Sequence, residues 1–325
     1  MGTERKGRRI MNKLSLVIAA YNEELNLPKI YERIVGVEWQ RSGVEIEMVF
    51  VDDHSRDGTS QILRGLAAKD QRVKWLRLSR NFGSHKAFTA GLEYATGDVA
   101  VILAADLQDP PECVPAMIEK WRAGAKVVWA VRGERAGESR FNKFSARIYY
   151  ILMRRYAIAD LPRTGADFLL MDHIVMEALR AAPERNTSLL ALIQWMGFEQ
   201  AQIVYTKEAR RAGVSKWTFF KRIKLAVDSF VSFSYMPIRL MSLLGFCSAA
   251  LGLLYALFLV MRRIIYEAPI EGWTSLICVV LILSGLQLVM LGVLGEYLWR
   301  TFDESRRRPR FLIEESHGID RKTIT

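Results

Sequence analysis

The chain has 325 residues, half of them hydrophobic, with 46 lysines and arginines against 35 aspartates and glutamates and a net charge of +11. That length accommodates one sizeable α/β domain and a further segment, and beyond the high isoelectric point nothing favours a nucleic-acid-binding protein, so nucleic acid is excluded as a partner. Three cysteines, Cys113, Cys247 and Cys278, support neither a disulfide framework nor a cysteine-based metal site.

In chain order, short β-rich runs alternate with helical periodicity. Strands are expected at Leu14–Ala20, Val44–Val51, Val73–Leu78 and Val99–Ala104, with helices at Glu24–Val37, Thr59–Asp70 and Lys86–Ala95 between them. A helix over Pro111–Ala123, a strand over Lys126–Val131, a helix over Phe141–Tyr156 and a strand over Phe168–Met171 continue the pattern. Such alternation predicts an α/β fold, a mostly parallel sheet with helices on both faces, and ligands in such sheets bind beyond the carboxyl ends of the strands.

Thr218–Phe233 follows as an amphipathic helix, with Phe219, Phe220, Ile223, Val227 and Phe230 on one face, suited to a membrane interface. Leu240–Met261 and Trp273–Gly295 then contain no charged residue. Each would be about 33 Å long as a helix, enough to cross a hydrocarbon core of roughly 30 Å. The expected organisation is a basic segment over 1–13, a catalytic domain over 14–217, a juxtamembrane helix over 218–235, a two-helix transmembrane hairpin over 236–299 and a basic tail over 300–325.

Positive charge brackets the two spans. Lys207 to Lys224 precede them, Arg306, Arg307, Arg308 and Arg310 follow them, and the linker balances Arg262 and Arg263 with Glu267 and Glu271. The positive-inside rule then puts both termini and the catalytic domain on the cytoplasmic side of a multi-pass protein of the cytoplasmic (inner) membrane. The basic opening runs into a strand-like segment ending in Tyr21-Asn22-Glu23, so no signal peptide is expected. Small residues at Gly245, Ala249, Gly252, Gly285 and Gly292 would let spans pack closely, within one chain or in a homo-oligomer.

Polar clusters gather after the strands. Adjacent carboxylates at Asp52 and Asp53 would repel unless something polar or cationic binds them, and they suit the NH groups of a nucleotide base and the hydroxyls of ribose. Asp106, Gln108, Asp109 and Glu112 surround a Pro110-Pro111 turn; this cluster can supply the oxygen ligands of Mg²⁺ or Mn²⁺, with Asp109 alternatively capping the following helix. Arg132, Arg135, Arg140, Arg210, Arg211 and Lys216 lie in Gly- and Ser-rich segments suited to phosphate recognition. No Gly-x-Gly-x-x-Gly follows the first strand and no Gly-Lys-Ser/Thr loop is present, which disfavours a dehydrogenase or a P-loop enzyme.

These residues resemble the family 2 glycosyltransferases of GT-A fold, and within them the polyprenyl-phosphate glycosyltransferases, which include dolichol-phosphate mannose synthase and the bacterial undecaprenyl-phosphate glucosyl and aminoarabinosyl transferases. The likeness runs through Val17 to Glu23, Val51 to Thr59, Arg80 to Gly83 with Lys86, Ala105 to Glu112, Gly165 to Phe168, Gly213 to Trp217, Leu294 to Tyr297 and Arg308 to Arg310. It implies nucleotide-sugar contacts from Ala20, Tyr21, Glu23, Asp52, Asp53, Lys86 and Asp106, and a metal held by Asp106 with Gln108. It also implies acceptor-phosphate contacts from Arg140, Arg210, Arg211, Ser215 and Lys216, and catalytic roles for Asp106, Asp167 and Arg132. One departure stands out: the family usually has Asp-x-Asp where this chain has Ala104-Ala105-Asp106.

The expected function is transfer of a sugar from a nucleotide-sugar donor, UDP- or GDP-linked, to a polyprenyl-phosphate lipid acceptor, with inversion and dependence on Mg²⁺ or Mn²⁺. Two rivals are a non-catalytic nucleotide-sugar-binding membrane protein, motivated by Ala104, and a processive polysaccharide synthase. The latter is weakened because Gln194-Trp195-Met196-Gly197 is not a Gln-x-x-Arg-Trp motif.

Overall fold

The computed structural model of the chain describes residues 13–39, 43–133, 168–182, 188–205, 234, 236–266 and 272–319. The chain divides into two compact units, Met1–Ala226 with Pro309–Thr325, and Val227–Arg308. The expected helices over 141–156 and 218–233 lie outside the described residues.

The first unit is built on an eight-stranded sheet in the order β7-β5-β6-β4-β1-β2-β3-β8. Its strands are β1 (Lys13–Ala20), β2 (Glu45–Asp52), β3 (Val73–Leu78), β4 (Val99–Ala104), β5 (Val127–Arg132), β6 (Phe168–Asp172), β7 (Gln200–Tyr205) and β8 (Ile313–His317). Strands β3, β2, β1 and β4 run parallel, β6 runs antiparallel to β4 and β5, β5 and β7 are parallel, and β8 is antiparallel to β3. The sheet is therefore mixed but mostly parallel.

Period-2 alternation in β1 explains how both faces are covered. Leu14, Leu16, Ile18 and Ala20 share one core with Leu27, Ile30 and Ile34 of α1 (Leu27–Gly36), Leu63 of α2 (Thr59–Lys69) and Met117, Ile118 and Trp121 of α4 (Val114–Arg122). Helix α3 (Ser84–Tyr94) covers the other face over β1 and β2. It rides close because Gly91 lacks a side chain: a Cβ there would stand 2.3 Å from Val17 Cγ1 and 3.0 Å from Val51 Cγ2.

Most expected elements are present with shifted ends. Helix α1 begins three residues late because the Glu23 carbonyl accepts the Asn26 and Leu27 N–H groups, and α3 begins at Ser84 behind Gly83, whose φ of 91° suits glycine. The helix expected over 111–123 splits into a 3₁₀ turn, Pro111–Cys113, and α4. Two helices, α5 (His173–Ala181) and α6 (Leu189–Trp195), and strands β7 and β8 were not anticipated from the sequence. Within the expected basic tail, residues 313–317 form an edge strand, stabilised by backbone pairing to β3 and by Phe311 and Ile313 packing beside Leu76 and Leu78.

The second unit holds α7 (Met236–Tyr266) and α8 (Trp273–Ser305). Both are long and apolar enough to cross a membrane, over Met236–Arg262 and Leu276–Ser305, and side chains such as Phe246, Leu253 and Ile282 are exposed, as lipid-facing residues would be. Helix α8 runs past the expected end at 299, supported by the Arg300–Glu296 pair one turn apart at 2.9 Å. Of the small residues, Gly245 meets the partner helix, a Cβ there lying 2.9 Å from Met290 Cε, whereas Gly252, Gly285 and Gly292 face open space.

Candidate functional site

Parallel pairing aligns the carboxyl ends of three strands, with Ala20 opposite Asp52 and Ala19 opposite Ala104. The ladder extends one step further, Asp53 N–H donating to Ala20 O at 2.9 Å and Ala105 N–H to Ala19 O at 3.1 Å. Immediately beyond, each chain turns through a left-handed residue: Asn22 at φ 52°, His54 at 61° and Leu107 at 61°. Such conformations are costly for residues with a Cβ and persist only where surrounding bonds hold them. Here Asn22 N–H donates to Ser55 Oγ at 2.9 Å, Arg56 N–H to Asn22 Oδ1 at 2.8 Å, and Glu23 N–H to Thr59 Oγ1 at 2.9 Å. Strand β6, running the opposite way, begins at this same edge and β5 ends at it, since Leu169 pairs with both Ile102 and Trp129.

Asp52 and Asp53 do not face each other. Adjacent strand positions project to opposite faces, and each carboxylate has its own partners. Asp52, with no exposed surface, accepts Ser55 N–H at 2.8 Å, the Ser60 hydroxyl and Arg77 NH1 at 3.0 Å. Asp53 accepts the Phe82 and Gly83 N–H groups at 2.7 and 2.8 Å, where the chain enters α3. Burial outweighs these two bonds and, aided by the Asp52 charge, pushes the Asp53 carboxyl up to about 6. A carboxylate offers about four acceptor positions, so Asp53 retains capacity for a ligand's N–H or O–H groups. Each aspartate thus has partners within the protein, while the Asp52 charge still acts on Asp53.

The acidic cluster after β4 also separates. Asp109 is buried and accepts the Tyr205 hydroxyl at 2.8 Å rather than capping the following turn, whose cap position is Pro110. Glu112 forms a two-pronged pair with Arg33 at 2.9 and 2.7 Å. Asp106 and Gln108 stay half-buried at the tip, Gln108 N–H donating to Asp106 Oδ1 at 3.2 Å. Among the described residues no group of three or more His, Cys, Asp and Glu side chains forms a metal cage. One carboxylate and one amide oxygen nonetheless fit a hard divalent cation whose remaining ligands are substrate phosphates and water.

The other expected contacts are distributed as follows. Ala20 points into the core, and Tyr21 and Glu23 are half-buried at the β1 tip, Glu23 accepting from Asn26 Nδ2 at 2.6 Å. Lys86 lies in the first turn of α3 beside a cleft of about 30 Å³, too small for a nucleotide. Arg132 is the last residue of β5, opposite Tyr205. Asp167, Arg140, Arg210, Arg211, Ser215 and Lys216 lie outside the described residues, as does the Arg132 side chain. The sequence reading missed Ser60, Arg77 and Glu314. Its one available signal was Arg77 within the apolar strand β3, a charge that calls for a buried partner.

Comparison with known proteins agrees with this architecture. The profile of glycosyl transferase family 2 matches residues 15–178. The uncharacterised glycosyltransferase YkcC of Bacillus subtilis is 39% identical over 95% of this chain and 96% of its own. An SfII prophage-derived bactoprenol glucosyl transferase of Shigella flexneri is 35% identical over 94% of this chain and 98% of its own. Among solved structures, glucosyl-3-phosphoglycerate synthase from Mycobacterium tuberculosis, in complex with Mn²⁺, UDP-glucose and phosphoglyceric acid, shares the fold at 15% identity and a TM-score of 0.50, covering 68% of this chain and 79% of that one. Because that profile spans half of the chain and these relatives exceed 30% identity over nearly all of it, the chain belongs to glycosyl transferase family 2.

Proposed function

We propose that this glycosyltransferase moves a sugar from a UDP- or GDP-sugar to the phosphate of a polyprenyl-phosphate lipid at the cytoplasmic face of a membrane. The observation that carries the reading is the meeting of the β1, β2 and β4 tips at one sheet edge, in a chain that also has two helices of membrane-crossing length. Relatives named bactoprenol glucosyl transferase, 35% and 36% identical over 94% and 93% of this chain, supply the acceptor class.

In this reading Tyr21, Glu23 and Asp53 meet the nucleoside while Asp52, wholly buried, holds the turn behind them. Asp106 and Gln108 would hold Mg²⁺ or Mn²⁺, and the ion would supply neutralisation of the charge developing on the leaving group. An acceptor phosphate oxygen attacks the anomeric carbon, the carbon–oxygen bond to the donor breaks, and its electron pair leaves with the nucleoside diphosphate. The second pKa of a phosphate monoester lies near 6, so this nucleophile is largely ionised at neutral pH and needs no strong base. Positioning and charge neutralisation carry the rate. Arg132, Arg140, Arg210, Arg211, Ser215 and Lys216 would hold the acceptor phosphate, and Asp167 would orient sugar or acceptor. A direct displacement inverts the anomer, and basic clusters on both sides of the hairpin keep the termini cytoplasmic.

The test is glycolipid formation from undecaprenyl phosphate by the purified protein, with a panel of UDP- and GDP-sugars and with Mg²⁺, Mn²⁺ or chelator, read by mass spectrometry. A product that needs metal and disappears in Asp106→Ala is expected; no product with any donor would overturn the reading. A retained anomeric configuration would overturn inversion alone.

A further inference from the structure

Strand β8 comes from the chain that follows the two apolar helices, yet it lies beside β3, with Trp75 opposite His317 and Arg77 opposite Glu315. Between β8 and the turn after β2 runs an open polar groove of about 580 Å³, lined by His54, Arg56, Arg64, Arg77, Glu314 and Glu315.

Arg77 spans this junction. Its Nε donates to Glu314 Oε2 at 2.9 Å, its NH1 to Asp52 Oδ2 at 3.0 Å and to the Ser60 hydroxyl, and its NH2 to the Ser55 carbonyl at 3.1 Å. One planar guanidinium therefore ties the post-helix strand to the β2 tip, the turn and the first residues of α2. A rigid fork suits this, where a lysine would offer a point charge. The Glu314 carboxylate also approaches His54 Nδ1 at 3.4 Å, and that nitrogen lies 3.1 Å from Leu78 O. His54 is one of the left-handed residues at the tips, so Glu314 touches the strained turn twice, directly and through Arg77. Glu315 instead pairs with Arg64 at 2.5 and 3.1 Å, and among the described residues Arg64 hydrogen-bonds to no residue of the turn; Arg77, opposite Glu315 in the ladder, acts on that carboxylate through charge rather than a hydrogen bond.

We propose that Arg77 is a positioning residue for the donor turn, and that Glu314, supplied by the strand beyond the apolar helices, sets its guanidinium against Asp52 and Ser55. This rests on the reading of residues 52–60 as part of the donor site. A chain that ends after α8 would keep its first seven strands and lose the brace on the turn that receives the nucleotide.

The experiment uses full-length protein in detergent, titrated calorimetrically with UDP and with GDP, beside melting temperatures and the acceptor KM for undecaprenyl phosphate. Wild-type protein, Glu314→Gln, Glu315→Gln and Arg77→Lys are compared. Glu314→Gln is expected to weaken binding of the preferred nucleotide about two- to fivefold, the size of a half-exposed ion pair, with acceptor KM unchanged. Arg77→Lys, which loses the fork on a buried aspartate, is expected to weaken it by about tenfold or more. Glu315→Gln leaves binding within about 1.5-fold, although it breaks an ion pair of the same strand. Wild-type affinity in Glu314→Gln, equal weakening by Glu314→Gln and Glu315→Gln, or a parallel rise in acceptor KM would overturn the proposal, since each marks a general brace. Glu314 is exposed enough that its variant keeps the test decisive if Arg77→Lys fails to fold. If the wild-type protein binds neither UDP nor GDP, the donor-site reading itself has failed and this inference falls with it.

Discussion

The two ends of the central strands each bury a carboxylate, one within β2 and one just after it, and they treat it in opposite ways. Glu47, near the amino end of the strand, accepts Ser15 Oγ at 2.5 Å, Thr96 N–H at 2.6 Å and Thr96 Oγ1 at 2.8 Å, and pairs with Lys13 and Lys74 at 2.9 and 2.8 Å. Burial alone would raise its pKa, but bonds from Lys74, Ser15, Lys13 and Thr96 outweigh it and hold the carboxyl at about 2. Asp53, at the carboxyl end, receives two N–H groups and no lysine, and rises to about 6. Equal burial with unequal compensation separates a settled brace from a group that still gains from a polar ligand. The closed end stabilises, and the open end is where, in the proposed reading, the donor would contribute bonds the protein left unmade.

The largest expected effect breaks the open end. Asp106→Ala should cost roughly 10²–10³-fold in transfer rate, as losing one preorganised electrostatic group does, with the melting temperature unchanged. At the closed end Glu47→Gln should lower unfolding free energy in denaturant titrations by about 3 kcal/mol, the low end for a broken buried pair because both lysines reach solvent, while nucleotide affinity stays unchanged. Between the two ends, Gly91→Ala forces α3 off Val17 and should cost about 1–3 kcal/mol in the same titrations.

Stability against pH sharpens the contrast further. The folded pKa of Glu47, about 2, lies below its ordinary 4.5, so its contribution is present above pH 4.5 and lost as pH falls towards 2. That of Asp53, about 6, lies above its ordinary 3.8, so its contribution is complete below pH 3.8 and lost as pH rises through 6. Melting temperatures should therefore rise on the acid side and fall between pH 3.8 and about 6. The fall should vanish in Asp53→Asn and the acid limb should shrink in Glu47→Gln. The smallest effect belongs to Glu112→Gln: its exposed pair with Arg33 should be worth less than about 1 kcal/mol, and transfer activity should persist because this carboxylate is engaged by Arg33.

Much of the sheet was legible because its signals are local. The short apolar run from Leu14 to Ala20, the run from Ile46 to Val51 and the helical spacing of Ile30 and Ile34 give strand and helix from β-rich runs and from a period of about 3.6. The uninterrupted apolar content of α7 and α8 likewise announced their length, although the polar turns that carry α8 to Ser305 did not. Edge strand β7 and edge strand β8 went unseen for the opposite reason. Gln200-Ala201-Gln202 and Ile313-Glu314-Glu315 are too polar to mark a strand, and become one only through pairing to β5 and β3.

The acidic clusters followed the same division. By sequence alone, Asp52, Asp53, Asp106, Asp109 and Glu112 are five carboxylates near strand ends, and composition with strand order determines that they gather at one edge. Which of them are consumed depends on partners distant in the chain: Arg77 for Asp52, Tyr205 for Asp109 and Arg33 for Glu112. Hydrogen-bond satisfaction is a property of three-dimensional neighbours. The sequence by itself thus determined the fold class, the apolar hairpin and the edge where chemistry gathers, because periodicity and strand ends are written along the chain. Only the tertiary structure decided that Asp52 is a brace, that Asp106 stands at the tip, and that a strand from beyond the apolar helices reaches the turn after β2, because those facts depend on contacts between residues far apart in the chain.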